Sequence, residues 1–224
     1  MIAKWLLQTF VWILGFAVLL FVPAGTLHWP GAWVFLGFMI ASGLGFGGWL
    51  AVKDPGLMAE RMRAPIRTDQ PADDKRLLLV LFTVIVIWFI AMGLDERFHL
   101  SHMPFALQVL GFLLLIASNI FIMWVFRTNS FAAAVVRIQS ERGHHVISSG
   151  PYAFVRHPMY SGAIPFMVGV ALLLGSWWGA AISLVFAILF GLRARIEERT
   201  LTTGLPGYAD YASRVRYRLV PGVW

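Results

Sequence analysis

The chain has 224 residues, of which 59% are hydrophobic and only 13% charged, with a mean hydropathy of +0.75. Soluble domains carry about 25% charged residues, so water is not this chain's main solvent. The absence of cysteine excludes disulfides, thiolate metal sites and cysteine nucleophiles, and the net charge of +7 must be judged by where the charges lie.

Six apolar stretches follow one another: Trp5–Val22, Gly31–Val52, Leu77–Leu94, Phe105–Phe126, Met159–Gly175 and Trp177–Leu192. The first four reach about 20 residues, enough to cross a hydrocarbon core of roughly 30 Å as helices. The first is too long for the apolar core of a signal peptide and no small-residue cleavage pattern follows it, so it reads as a retained span. Within the second, Gly43-Leu44-Gly45-Phe46-Gly47-Gly48 formally matches a dinucleotide fingerprint. That fingerprint needs a preceding strand; inside a span, Gly43 and Gly47 instead form a small-xxx-small pair for close helix packing. The last two stretches are shorter and joined at Ser176, which predicts a tight helical hairpin with Trp177 and Trp178 in the interfacial belt. No breaker intervenes before Gly204, so the second arm continues through Arg193 to Leu201.

With the N-terminus in the cytosol and the spans alternating, every lysine and arginine except Arg97 falls on the cytosolic side, as the positive-inside rule requires. The basic residues then face the anionic leaflet, which accounts for the charge without nucleic acid. The polar segments are a loop over Lys53–Arg76 with Pro65, Arg67 and Pro71, a second over Arg127–Pro158, and a tail over Thr202–Trp224. The expected architecture is all-α: a polytopic transmembrane protein of about six segments with both termini cytosolic. Residues 1–126 form four N-terminal spans, and 127–224 a catalytic region of loop, hairpin and tail.

The second loop ends Gly150-Pro151-Tyr152-Ala153-Phe154-Val155-Arg156-His157-Pro158-Met159-Tyr160. Gly150-Pro151 signals a turn and Pro158 suits the first position of a helix. Arg156 alone reads as a positive-inside charge and the tyrosines as belt aromatics, but the density of polar chemistry at one membrane entrance points to a site. Glu197 and Glu198 lie about 100° apart on a helix, which predicts one facing solvent and one inward; an Arg193–Glu197 pair at i,i+4 is the bland reading. The hairpin returns these carboxylates to the face where Arg156 and His157 enter. In the tail, Tyr208, Tyr211 and Val215 form a helical stripe expected to lie on the membrane and compatible with capping a site. His144 and His145 are adjacent, poor geometry for one ion, so no metal is expected.

The run from Gly150 to Tyr160, together with Glu197-Glu198-x-x-Leu201, Tyr208-x-x-Tyr211-x-x-x-Val215 and Pro221, resembles the signature of the isoprenylcysteine carboxyl methyltransferase family, which is related to the phospholipid N-methyltransferases. The resemblance covers roughly Asn129–Trp224; the first half shares only its apolar character. Gly207 departs from a position where the family often has an acidic residue. The resemblance implies S-adenosyl-L-methionine as methyl donor at the cytosolic face and a lipophilic acceptor entering from the bilayer among membrane lipids. It assigns catalytic roles to Arg156, His157 and Glu197. Donor contacts fall to Val146, Gly150, Pro151, Tyr152, Arg156, His157, Tyr160, Glu197, Glu198 and Tyr208.

An acceptor carboxylate needs only a cation to orient it, whereas an amine or thiol needs a base; the residues leave this open. If the host is bacterial, the expected location is the plasma (inner) membrane. Two other classes remain. One is an NADPH-dependent reductase of the sterol type, with Arg214, Arg216 and Arg218 at the 2′-phosphate. The other is a transporter, although no span carries an ionisable group at its centre.

Overall fold

The structure, a computed structural model, describes residues 2–63, 68 and 70–224. Pro65 and Arg67 of the charge and turn reading lie outside the described residues. Among the described residues eight α-helices run in order: α1 Ile2–Ala24, α2 Pro30–Lys53, α3 Pro55–Arg61, α4 Ala72–Phe98, α5 Phe105–Thr128, α6 Pro158–Leu173, α7 Trp177–Gly204 and α8 Tyr208–Arg214. Among the described residues there is no strand, as an all-α membrane fold requires where backbone groups must be satisfied within each segment. Five helices among the described residues are long and apolar enough to span a bilayer: α1, α2, α4, α5 and α7.

Lipid tails are as apolar as leucine, so association of these helices rests on close packing and hydrogen bonds. Both are visible. A Cβ at Gly111 of α5 would lie 2.5 Å from Leu173 N, and one at Gly169 of α6 2.9 Å from Gly111 O; only glycine lets these two backbones meet. The Gly43–Gly47 reading holds for its second member: a Cβ at Gly47 would overlap the Trp5 ring at 2.2 Å, so α1 seats its indole on α2. Trp88 of α4, 1% exposed, donates its indole N–H to Gly179 O of α7 at 2.7 Å. At the hairpin tip Ser176 caps α7 by accepting from Gly179 N at 2.9 Å, and donates its hydroxyl to Asp95 Oδ2; Ser101 donates to the same oxygen at 2.7 Å.

The 16 residues of α6 cover about 24 Å, short of a full crossing. None of them is exposed. This helix packs between α5 and α7 and is the centre of the bundle, so its length answers to its neighbours rather than to lipid.

The first polar segment differs from the expected loop. Asp54 ends α2 and caps α3 by accepting from Leu57 N at 2.8 Å, with Pro55 at the first helical position. Helix α4 begins at Ala72, five residues before the apolar run, because Asp73 and Asp74 suit the positive end of the helix dipole. The expected continuation of α7 past the apolar run is present, to Gly204.

Candidate active site

The Gly150–Tyr160 run makes three turns in quick succession. Gly150 has φ +57 and opens a 3-10 turn over Gly150–Ala153; a Cβ there would meet Thr128 Oγ1 at 2.8 Å, so glycine both bends the chain and admits the end of α5. His157 then precedes Pro158, which starts α6. The tail docks onto this turn. Arg156 N donates to Tyr217 O and His157 N to Arg218 O, both at 2.9 Å, and Ser161 Oγ donates to Leu219 O at 2.7 Å.

Two carboxylates organise the side chains. Glu198 accepts from Arg156 Nε at 2.5 Å and from Arg218 Nε at 2.7 Å. Glu197 accepts the Tyr160 hydroxyl at 2.7 Å. The His157 imidazole stands between them, Nδ1 3.5 Å from Glu197 and Nε2 3.3 Å from Glu198. Burial of His157 works against its charged form, but hydrogen bonds to Glu197 and Glu198 outweigh it and raise its pKa. The ring of His157 stacks on Tyr160, and Tyr160 on Phe190, each at 5.6 Å between centroids.

Three expectations are corrected by this geometry. Glu198 does not point to solvent, because the tail supplies Arg218 on the side left open by α7, and the Glu197 side chain, 29% exposed, lines a cavity. Arg193 does not take Glu197 as its i,i+4 partner; its Nε donates to Asp74 Oδ1 at 3.0 Å. The tail stripe faces protein, not lipid: Tyr208 and Tyr211 are buried with Leu205, and Tyr211 donates its hydroxyl to Tyr152 O at 2.8 Å.

Beside this network lies a cavity of about 740 Å³, counting the open solvent at its mouth. Of the residues expected at the site, Val146, Tyr152, Arg156, His157, Tyr160, Glu197 and Tyr208 line it. Gly150, Pro151 and Glu198 do not; they shape or brace the wall. Arg156 has little left to offer a ligand through its bonded atoms. Besides Glu198, its Nη1 serves Val215 O at 2.6 Å and Arg216 O at 2.9 Å.

The cavity is also lined by residues that were not among those expected at the site: Asn129, Phe131, Arg137, His144, Leu205 and Tyr211. Asn129 Nδ2 donates to the Tyr152 hydroxyl at 2.8 Å. Phe131 stacks on His144 at 4.5 Å. Burial pushes the His144 pKa down to about 4, so this imidazole is neutral at pH 7. The His144-His145 pair was weighed only as a metal site, and among the described residues no three His, Asp or Glu side chains gather as one. Its signal was of another kind: a polar pair one turn upstream of the Gly150 bend.

The hydroxyl of Tyr208 is buried and has no hydrogen-bond partner among the described residues. Burial, and then the charges of Glu198 and Glu197, raise its pKa, so it stays a donor. Glu197, which lines the cavity, has Tyr160 and His157 as its partners and no arginine or lysine within ion-pair distance among the described residues. The arrangement therefore presents a carboxylate, a protonated phenol and aromatic faces to one enclosed volume.

Residues 106–205 match the phospholipid methyltransferase family. That is a little under half of the chain, and it extends the resemblance upstream through α5. The fold is that of a eukaryotic intramembrane Ras methyltransferase, the isoprenylcysteine carboxyl methyltransferase ICMT, at a TM-score of 0.56 and 20% identity, over 93% of this chain and 74% of that one. Two curated bacterial proteins are similar over 78 residues, or 34% of this chain. The cobalt-zinc-cadmium resistance protein CzcN of Cupriavidus metallidurans is 31% identical over 36% of its length. The nickel-cobalt-cadmium resistance protein NccN of Alcaligenes xylosoxydans xylosoxydans is 32% identical over 37% of its length. The chain thus spans about a third of the length of the curated relatives it matches. The family match through α5, α6 and α7 and the shared fold agree with the resemblance carried by the Gly150–Tyr160 signature, and with an integral, multi-pass membrane fold.

Proposed function

We propose that the protein is an S-adenosyl-L-methionine-dependent methyltransferase that binds its donor in the cavity beside Glu197 and takes a lipophilic acceptor from the bilayer. The observation that carries this reading is the composition of the cavity: a lining carboxylate held by a phenol and an imidazole rather than by an arginine, next to a buried phenol hydroxyl without a partner. These groups fit a cationic ligand rich in hydroxyl, amino and aromatic functions.

The donor supplies a methyl group on a sulfonium, which departs as a neutral thioether when a nucleophile's lone pair attacks in line. The chain's own residues bind, align and keep water away. Glu197 accepts hydrogen bonds from the donor's ammonium or ribose hydroxyls and offsets its positive charge. Tyr208 donates to a donor oxygen or nitrogen. The faces of Tyr152 and Tyr160 suit a sulfonium, which aromatic quadrupoles attract. Phe131, Val135, Leu201 and Leu205 wall the volume with apolar atoms, which strengthens every polar contact inside it. Arg156 acts by fastening the tail across the site, and Glu198 by joining Arg156, Arg218 and His157.

The lipophilic acceptor is a carboxylate of the isoprenylcysteine type or a lipid amine. For a carboxylate no base is needed; for an amine or thiol, His157 or Glu197 receives the proton. The positive-inside charge pattern supports a cavity mouth on the cytosolic side, with both termini there. The catalytic chemistry lies in residues 127–224.

The test is a thermal shift of the detergent-purified protein with S-adenosylhomocysteine, NADPH or no addition. Stabilisation by S-adenosylhomocysteine is expected; stabilisation by NADPH alone overturns the reading in favour of a reductase. Glu197→Ala should abolish the shift, and a full shift in that variant refutes the placement of the donor.

A further inference from the structure

Asp74 is, among the described residues, a fully buried acid of the cytosolic side that the site as described does not use. It sits in the first turn of α4, at 0% exposure. Its Oδ1 accepts from Arg193 Nε of α7 at 3.0 Å. Its Oδ2 accepts from Gln70 Nε2 at 2.5 Å and from the backbone N–H of Val136 at 3.0 Å. Arg193 in turn spends Nη2 on Ala134 O at 2.6 Å. A carboxyl on one helix, a guanidinium on another and the backbone of residues 134–136 thus close into a single knot.

Both things that the knot holds belong to the cavity. The stretch from Phe131 to Arg137 forms one of its walls, through Phe131, Ala132, Ala133, Val135 and Arg137. Arg193 lies one turn before Glu197 on the same face of α7, and its guanidinium carbon lies 5.7 Å from the centre of the Tyr160 ring, whose hydroxyl donates to Glu197.

A helix-capping acid needs no such partners. The neighbouring Asp73 serves the same helix end while exposed, 3.7 Å from Arg76. We infer that Asp74 is a positioning residue of the donor site: it fixes the 131–137 wall against α7 and, through Arg193 and Tyr160, fixes the direction in which Glu197 faces the cavity. The inference rests on the reading of that cavity as the donor site. It also means that the chemistry of residues 127–224 depends on an anchor in the first half of the chain.

The experiment compares wild type, Asp74→Asn and Asp73→Asn as full-length protein in detergent. It measures S-adenosylhomocysteine affinity by calorimetry below the unfolding temperature, and amide hydrogen exchange over residues 131–137. Asp74→Asn should weaken affinity at least tenfold and speed exchange of that wall, while Asp73→Asn, which removes the same charge from the same turn, stays within twofold of wild type. A purely structural role would lower the melting temperature of Asp74→Asn and leave the affinity of the folded protein unchanged, and that result overturns the inference. If Asp74→Asn does not fold, Asp74→Glu decides, because it keeps the charge and shifts the knot by one methylene: native affinity overturns the inference, and a several-fold loss supports it. Failure of wild type to bind S-adenosylhomocysteine is a different result, which removes the donor site itself.

Discussion

The two ends of the helix bundle both hold buried carboxyl groups, and they use them in opposite ways. At the hairpin tip, Asp95 gathers two serine hydroxyls on Oδ2, one of which caps α7, so that oxygen serves to hold backbone, while Oδ1 is buried without a partner among the described residues. At the opposite end, Glu198 and Asp74 are tied to arginines, and these pairs free Glu197 to keep one side toward a cavity. The difference teaches that charge alone does not mark a site here. What marks it is a carboxylate whose neighbours are organised by other ion pairs but which has no cation of its own.

That contrast can be broken, most forcefully at Glu198. Glu198→Ala leaves Arg156, Arg218 and His157 without their shared partner, and removing one member of a buried pair costs about 3–5 kcal/mol. Thermal unfolding in detergent should show a large loss, and a melting temperature near wild type would mean that the tail does not depend on this contact. Glu197→Gln keeps an oxygen for the Tyr160 hydroxyl. It should therefore melt close to wild type yet bind S-adenosylhomocysteine at least tenfold more weakly. Equal losses of stability and affinity in both glutamate variants would erase the distinction drawn between them.

At the other end, Asp95→Ala removes charge-assisted hydrogen bonds worth about 1.5–3 kcal/mol, with affinity expected to remain native. A weakened ligand in this variant would show the two ends to be coupled. The smallest effect is expected at Trp88→Phe, where one interhelical hydrogen bond disappears and roughly 0.6 kcal/mol, at most about 1.7, is lost. Urea or thermal titration of that variant checks it.

The pH dependence separates the ends as well. The folded-state pKa of His157 is raised, so its contribution to stability is fully present below the unfolded value of about 6.5 and is lost as pH rises through the higher folded value. Melting temperature should therefore fall as pH rises above about 6.5. In His157→Gln this decline should be flattened, and an unchanged decline assigns it elsewhere.

The helices were legible because lipid imposes length and hydropathy on them: all six apolar stretches became helices, and the charge-free run from Trp177 to Leu192 continued as one with Arg193 to Leu201. The Gly150–Tyr160 signature was legible because its glycine and prolines fix the backbone locally. What escaped were features set by distant partners. Helix α3 is only seven residues long, too short for a periodicity. Asp74 reads in the sequence as an ordinary acid at a helix start, since nothing local announces Arg193 from 119 positions away. Phe131 and Leu205 carry no chemical signal, although an enclosed site needs apolar walls as much as polar groups. Glu197 and Glu198 were read as a helix alone, where one must face water; the docked tail covers Glu198 with Arg218.

The docking of the tail also bears on the order of synthesis. Domains emerge N-terminal part first, and the carbonyls of Val215, Arg216, Tyr217 and Arg218 that fasten Arg156 and His157 are made after every helix of the bundle. A nascent chain can therefore have all its membrane segments in place and still have an unfastened site. Competence arrives with the tail, once insertion is already complete.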